Sequence, residues 1–270
     1  MPCFNSIEEC QKVVARDLDA IPDKFKNFTE ETKNDRSKNP WRRMILGIVT
    51  CKKHQRRRQS FMIIFKEIFE QLGLEYYTIC ADPELETEEG LDYTIDHETR
   101  VFTAKAKESY ETLAHKLAIF YSYVNNETDY DYIIKSDDGC LLNLKEIVTK
   151  LDKPYIGATL KPTLNVIHRG KCSEKKYNYV DLDFGHELRM FDPEMDETTY
   201  KKLYHINLAG GGYGYRLERR AFQHVDKYKS HILSLGLSYE DVLFGQIFYL
   251  EGVNVTRVGI GRYHFIGPKK

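Results

Sequence analysis

Tyr130-Asp131-Tyr132-Ile133-Ile134-Lys135-Ser136-Asp137-Asp138-Gly139 is the stretch on which the fold turns. Tyr132, Ile133 and Ile134 read as a buried strand, because aromatic and β-branched residues suit a pleated, packed surface. The acids and the glycine then stop it. Open α/β sheets bind ligands in the crevice beyond the carboxyl ends of their strands, so Asp137 and Asp138 stand where a ligand would be met. Neighbouring carboxylates repel unless a cation or hydrogen-bond donors offset them. A divalent metal carrying phosphates is one solution, since hard cations take oxygen ligands; an exposed Asp-Asp-Gly turn is the other. Asp129-Tyr130-Asp131 spells Asp-x-Asp but precedes the strand, at the wrong end for such a crevice, and is set aside.

Composition leaves this reading open and closes others. The 270 residues suffice for one substantial core. A net charge of −1 gives no general attraction to nucleic acid or to a membrane surface. No run of about 18 apolar residues exists, so no membrane span is expected. Met1-Pro2-Cys3-Phe4-Asn5 lacks the basic-then-apolar pattern of a signal peptide. The six cysteines contain no Cys-x-x-Cys pair, and Cys51, Cys80 and Cys140 fall near strand ends. Reduced thiols in the cytosol are the expectation.

Toward the N-terminus from the central strand, residues 109–124 place Tyr110, Leu113, Leu117, Phe120 and Val124 on one helical face, with Lys116 off the stripe. A strand is expected at 93–95 or 100–102, and another at 74–80 that ends in Ala81-Asp82-Pro83. Asp82 is placed to meet a ribose or base edge, or serves as a turn former before proline. Residues 44–49 form the continuous apolar run of a strand buried on both faces. Thr50 and a basic loop carrying Arg56, Arg57 and Arg58 lead into a helix over 59–72. Strand, basic loop and helix make the first half of a nucleotide-binding unit, with anions drawn to the helix start. Arginine forks suit a diphosphate, although a solvated basic helix start reads the same way. Residues 1–40 are expected to be an N-terminal arm, with a short helix over 7–18 docked by Phe25 and Phe28 and a charged connector over 30–39.

Toward the C-terminus, a helix is expected over 141–151 and a short strand over 154–158. Residues 159–205 read as loops over a site. Gly210, Gly211 and Gly212, followed by Gly214, let backbone approach a ligand closely. No Gly-Lys-Ser/Thr follows, so this is not a phosphate-cradling Walker loop. A helix over 218–228 comes next. Glu240 and Asp241 then open another helix, either as acids at its positive end or as a general base facing a cleft. A last strand is expected over 252–258, ahead of Tyr263-His264-Phe265.

Taken together, Arg57-Arg58-Gln59, Ser109-Tyr110-Glu111-Thr112-Leu113 with Lys116, Tyr132 to Asp138, Ala209-Gly210-Gly211-Gly212-Tyr213, and Glu240-Asp241-Val242 with Gly245 resemble the β-1,3-galactosyltransferase and fringe family of glycosyltransferases. The likeness runs from about residue 44 to 264, with the pieces in the family's order. It implies an α/β GT-A fold, a mixed, mostly parallel sheet flanked by helices, as a single domain over residues 41–270. It implies an inverting glycosyltransferase that moves a sugar from a UDP-sugar, with Mn²⁺ (or Mg²⁺), to a hydroxyl of a glycan acceptor. Thr50, Arg57, Arg58, Asp82, Lys116, Asp137, Asp138 and Gly210 to Gly212 are the candidates to hold the donor; by the resemblance Asp137 and Asp138 face its ribose and metal-diphosphate, and Gly210 to Gly212 shape the floor for acceptor and donor. Asp241 is the base with Glu240 beside it, and Asp138 with His264 binds the metal. The family's third consecutive acid is Gly139 here, and the anchor and cysteine pairs of its Golgi relatives are missing. A cytoplasmic enzyme of microbial or viral type is therefore expected. The alternative is a nucleotide- or carbohydrate-binding module on the same fold that is inactive or needs no metal.

Overall fold

Two short apolar runs make the centre of the molecule. In the computed structural model, which describes residues 6–110, 112–160, 194–203, 206–235 and 240–264, β1 (Met44–Val49) is buried along its whole length. It pairs in parallel with β5 (Tyr132–Asp137), Met44 opposite Tyr132 and Val49 opposite Asp137. Beyond β1 lie β2 (Glu75–Ala81) and β4 (Val101–Ala104), both parallel to it, and β3 (Tyr93–Asp96), antiparallel at the edge. Beyond β5, β10 (Tyr215–Glu218) runs antiparallel to both β5 and β7 (Tyr155–Gly157). β11 (Thr256–Arg257) completes the sheet beside β7. The order is β11-β7-β10-β5-β1-β2-β4-β3, a mixed and mostly parallel sheet as the sequence led us to expect. Two small ladders accompany it: β6 (Cys140–Leu142) with β12 (Gly261–His264), and β8 (Thr159–Leu160) with β9 (Leu208–Ala209).

Because side chains alternate across a strand, each central strand feeds two cores. Ile45, Val49 and Ile133 face α4 (Leu113–Glu127), α7 (Arg219–Lys227) and α9 (Glu240–Leu250), packing with Phe120, Phe222 and Phe244. Leu46, Ile48 and Ile134 face α1 (Ile7–Asp19), α3 (Gln55–Leu72) and α5 (Leu144–Thr149), packing with Val14, Phe65 and Ile147. Of the shorter helices α2 (Glu30–Lys33), α6 (Glu197–Lys202) and α8 (Lys229–Ser234), α8 joins the first core through the buried Ile232. Among the described residues no helix is long and apolar enough to cross a membrane.

Four boundaries differ from expectation. The helix expected over 141–151 is instead β6 followed by α5, because Leu141 and Leu142 find strand partners in β12, far along the chain. Asn143 then caps α5, its side chain accepting from the Glu146 N–H. α3 starts at Gln55, so Arg56, Arg57 and Arg58 lie in its first turns and not in the preceding loop. α4 starts only at Leu113, where Ser109 Oγ accepts the Thr112 N–H in a local turn. The last strand shrinks to β11, since Gly252 takes a left-handed φ of 76° and turns the chain. Both candidates for the third strand form, as β3 and β4. The N-terminal arm packs into the same core as α3 and α5: Cys10 and Val14 are buried, Phe25 and Phe28 rest against them, and Trp41 Nε1 donates to the Phe25 carbonyl at 2.7 Å. Of the loops expected over 159–205, residues 161–193 and 204–205 lie outside the described residues.

One buried cation fixes β10 to its surroundings. Arg216 is fully buried and donates to the carbonyls of Ile147, Lys150 and Lys153. It thereby satisfies acceptors left over at the end of α5. Burial pulls its pKa down to about 10.

Candidate active site

The tip of β5 sends its two acids to opposite faces of the sheet. Ile133, Lys135 and Asp137 share one face, Ile134 and Ser136 the other, and Asp138 follows the second set. Each carboxylate meets its own partners, although Asp137 still adds to the upward push on the Asp138 carboxyl.

On the α3 face, Asp138 is buried and its Oδ2 accepts the Thr50 hydroxyl at 2.6 Å. Its N–H donates to the Val49 carbonyl, which ties the acid to the end of β1. Burial pushes the Asp138 carboxyl above its ordinary range, while the Thr50 hydroxyl, His54 and Arg57 pull it back toward the charged form. Arg57 is exposed and Arg58 partly so, on a helix with no acid in its first turn. Anions are favoured at such a terminus by its free N–H groups and by the helix dipole.

On the α9 face the centre is Lys135, fully buried after the apolar half of β5. Its ammonium donates to Asp137 Oδ1 at 2.7 Å and to the Gly211 carbonyl at 2.7 Å, and lies 3.4 Å from Glu240 Oε1. Burial opposes the charge, but the carboxylates of Asp137 and Glu240 outweigh it and hold the lysine above its ordinary pKa. Glu240 is also buried, and burial pushes its carboxyl up to about 7 even though Lys135 draws it down. Asp241, partly exposed, accepts the Gly211 N–H on Oδ2 and the Val242 N–H on Oδ1, each at 3.0 Å.

The glycine run is shaped by these contacts. Gly210 donates to the Ala158 carbonyl, and Gly211 to Tyr213 makes a single 3-10 turn. At Gly211 an added Cβ would sit 2.5 Å from Glu240 Oε2. At Gly214, where φ is 73°, it would sit 2.7 Å from the Lys135 carbonyl. Neither position has room for a side chain. Beneath them, Tyr121 and Tyr215 share a hydrogen bond at 2.9 Å, and Tyr155 accepts the Ala209 N–H at 2.8 Å.

Lys116 is buried, not open to a ligand. Its ammonium donates to the Thr50 carbonyl at 2.7 Å and to Glu108 Oε1 at 2.6 Å, while Glu108 Oε2 accepts the Ala81 N–H. Lys116 and Glu108 together tie the tips of β1 and β2. Asp82 lies just past β2 and accepts the Glu84 N–H on Oδ1, the geometry of a turn former. His264 pairs through its backbone with Cys140, close along the chain to Asp138, and its side chain lies outside the described residues. Asp131, set aside above, pairs with Arg43 at the start of β5. Lys135 and Glu108 were not singled out from the sequence. A lysine inside a strand, directly after the apolar Tyr132-Ile133-Ile134, was the available signal for the first; nothing in the sequence marks the second.

For a metal, the donor set is small. Among the described residues no group of three or more His, Cys, Asp or Glu gathers as a metal site. Asp137 has its Oδ1 held by Lys135. Asp138 has one oxygen taken by Thr50. Such a site fits a cation held mainly by a ligand's own phosphates and water, as Mg²⁺ often is, and not a cage of protein ligands. Among known protein families, the model described as galactosyltransferase matches residues 87–259. No curated protein matches the chain with significance.

Proposed function

The chain belongs to the galactosyltransferase family and is a glycosyltransferase by that membership; on this premise we propose that it transfers a sugar from a UDP-sugar to a hydroxyl of a glycan acceptor, with inversion at the anomeric carbon. The observation that carries the reading is the meeting of three distant segments, where Asp137, Gly211 and Glu240 all contact the buried Lys135.

In this reading the donor diphosphate lies on the α3 side of the cleft, against Thr50 and the start of α3, where Arg57 and Arg58 offset its charge. Asp82 sits toward the nucleoside. Gly210 to Gly212 form a floor without side chains, on which donor and acceptor come together. Asp241 takes the proton from the acceptor hydroxyl. The acceptor oxygen bonds to the anomeric carbon as the bond from that carbon to the diphosphate oxygen breaks, and UDP leaves with the electron pair. A correctly placed base contributes ~10²–10⁴-fold to such a step. A Mn²⁺ or Mg²⁺ brought in with the diphosphate, held by Asp138 and His264, would supply charge to stabilise the departing UDP.

The second reading, a binding module without turnover, is favoured by one detail: both oxygens of Asp241 already accept main-chain N–H groups. Titrating UDP with and without Mn²⁺, then measuring UDP release over a panel of sugar acceptors, decides between them. Release that depends on an acceptor, with an inverted product by NMR, supports transfer. Tight UDP binding with no release under any acceptor refutes it.

A further inference from the structure

Lys135 has no part in the steps above, and, resting on that reading, we propose that it is a positioning residue whose ammonium clasps the tip of β5 to the glycine turn and the start of α9, the walls on the α9 face that hold the base. Its contacts come from three segments far apart in sequence: Asp137 at the end of β5, Gly211 in the glycine turn, and Glu240 at the start of α9. A lysine ammonium has three donors and no acceptor; here it donates to Asp137 and to the Gly211 carbonyl, with Glu240 Oε1 3.4 Å away as its ion-pair partner. The group is fully buried, with the ring of Tyr215 at 5.8 Å, so it meets no solvent and no substrate directly.

The geometry around Gly211 makes this placement consequential. Its carbonyl is held by Lys135, its N–H by Asp241, and its Cα lies against the Glu240 carboxylate. Releasing Lys135 therefore frees the glycine turn and, through it, the carboxylate assigned as base. A displacement of about 1 Å in a reacting group can cost ~10²-fold in rate. Stability alone does not account for the lysine, since well-packed apolar residues often replace buried ion pairs without loss. The α3 side, where Asp138 meets Thr50, shares no contact with Lys135 among those described.

The test uses Lys135→Met, which keeps length and removes charge, together with Glu240→Gln and the double variant. Transfer is measured per folded molecule, with the folded fraction taken from circular dichroism and UDP affinity from calorimetry. The expected result for Lys135→Met is a fall in kcat of ~10²-fold with UDP affinity nearly unchanged. A lowered Tm with unchanged kcat per folded molecule would make the lysine merely structural and overturn the proposal. Should Lys135→Met fail to fold, the double variant removes the stranded buried carboxylate and restores folding. Its crystal structure is expected to show Asp137 and Gly211 drawn apart, and walls left in place would equally overturn the proposal. A wild-type protein that neither binds UDP nor transfers sugar would sink the transferase reading alone, because wall position in the double variant is read without activity.

Discussion

Gly211→Ala is the sharpest perturbation the site offers, because one added carbon meets a carboxylate that has nowhere to go. The new Cβ would lie 2.5 Å from Glu240 Oε2, 2.7 Å from Oε1 and 3.0 Å from Cδ, where ordinary contact begins near 3.4 Å. Something must move by roughly 0.9 Å. Glu240 is only 4 % exposed and lies against Lys135, and Gly211 is pinned by hydrogen bonds through both its N–H and its carbonyl. Forcing a methyl into a packed interior costs about 1–3 kcal/mol. If relief comes by driving Glu240 away from Lys135, the cost approaches the ~3–5 kcal/mol of breaking a buried pair. At ~2–4 °C per kcal/mol for chains of this size class, Tm should fall by at least a few degrees. Differential scanning calorimetry on the variant, with transfer assayed well below its Tm, measures both the stability cost and the misplacement of the wall. Gly259→Ala is the control, since a Cβ there meets nothing within 4 Å. Equal Tm and equal kcat in Gly211→Ala and the wild type would refute the reasoning, for they would mean that the glycine turn and Glu240 are not in contact.

Three further outcomes are expected. Asp241→Asn should lower transfer by ~10²–10⁴-fold while leaving UDP affinity near the wild-type value, and retained turnover would remove it as the base. Lys116→Met should lower Tm by roughly 6–20 °C, because it strands Glu108 beside the β1 and β2 tips; unchanged Tm with weakened UDP binding would return the lysine to direct donor contact. Glu240→Gln should flatten one part of the pH–stability curve. Burial lifts Glu240 from 4.5 to about 7, so the folded protein keeps a proton that the unfolded chain has lost. The stability this adds is present at low pH and disappears as pH rises through 7. The wild type should therefore lose stability relative to Glu240→Gln between about pH 5 and pH 7 in urea titrations, and a constant difference would show that Glu240 is not held protonated.

Much of the fold could be read from residue types alone. The apolar runs of β1 and β5 are buried on both faces, and their hydrophobic continuity said so. The acids at the end of β5 and at the start of α9, and the glycines before β10, fell where turn chemistry and helix dipoles put them. What escaped the reading was set by partners distant in sequence. Leu141 and Leu142 look helical until β12 is present to pair with them. The arginines after β1 looked like loop because helix propensity is a weak prior where charge dominates. Lys116 looked like a ligand because it stood off the apolar stripe, yet Glu108 and the Thr50 carbonyl give it a buried seat. Lys135 is the same lesson in reverse: a charge inside a strand reads as an outward residue until three acceptors surround it.

The place of β10 has a consequence for how the chain is made. It slots between β5 and β7, both of which leave the ribosome well before it. A nascent chain that has reached residue 160 therefore carries two adjacent unpaired strand edges with no strand yet synthesised to fill the gap. Such open edges invite pairing between copies. Fragments that end before Tyr215 should accumulate as aggregates, whereas fragments reaching past Glu218 can close the sheet, so translation through that short interval is the step on which soluble yield depends.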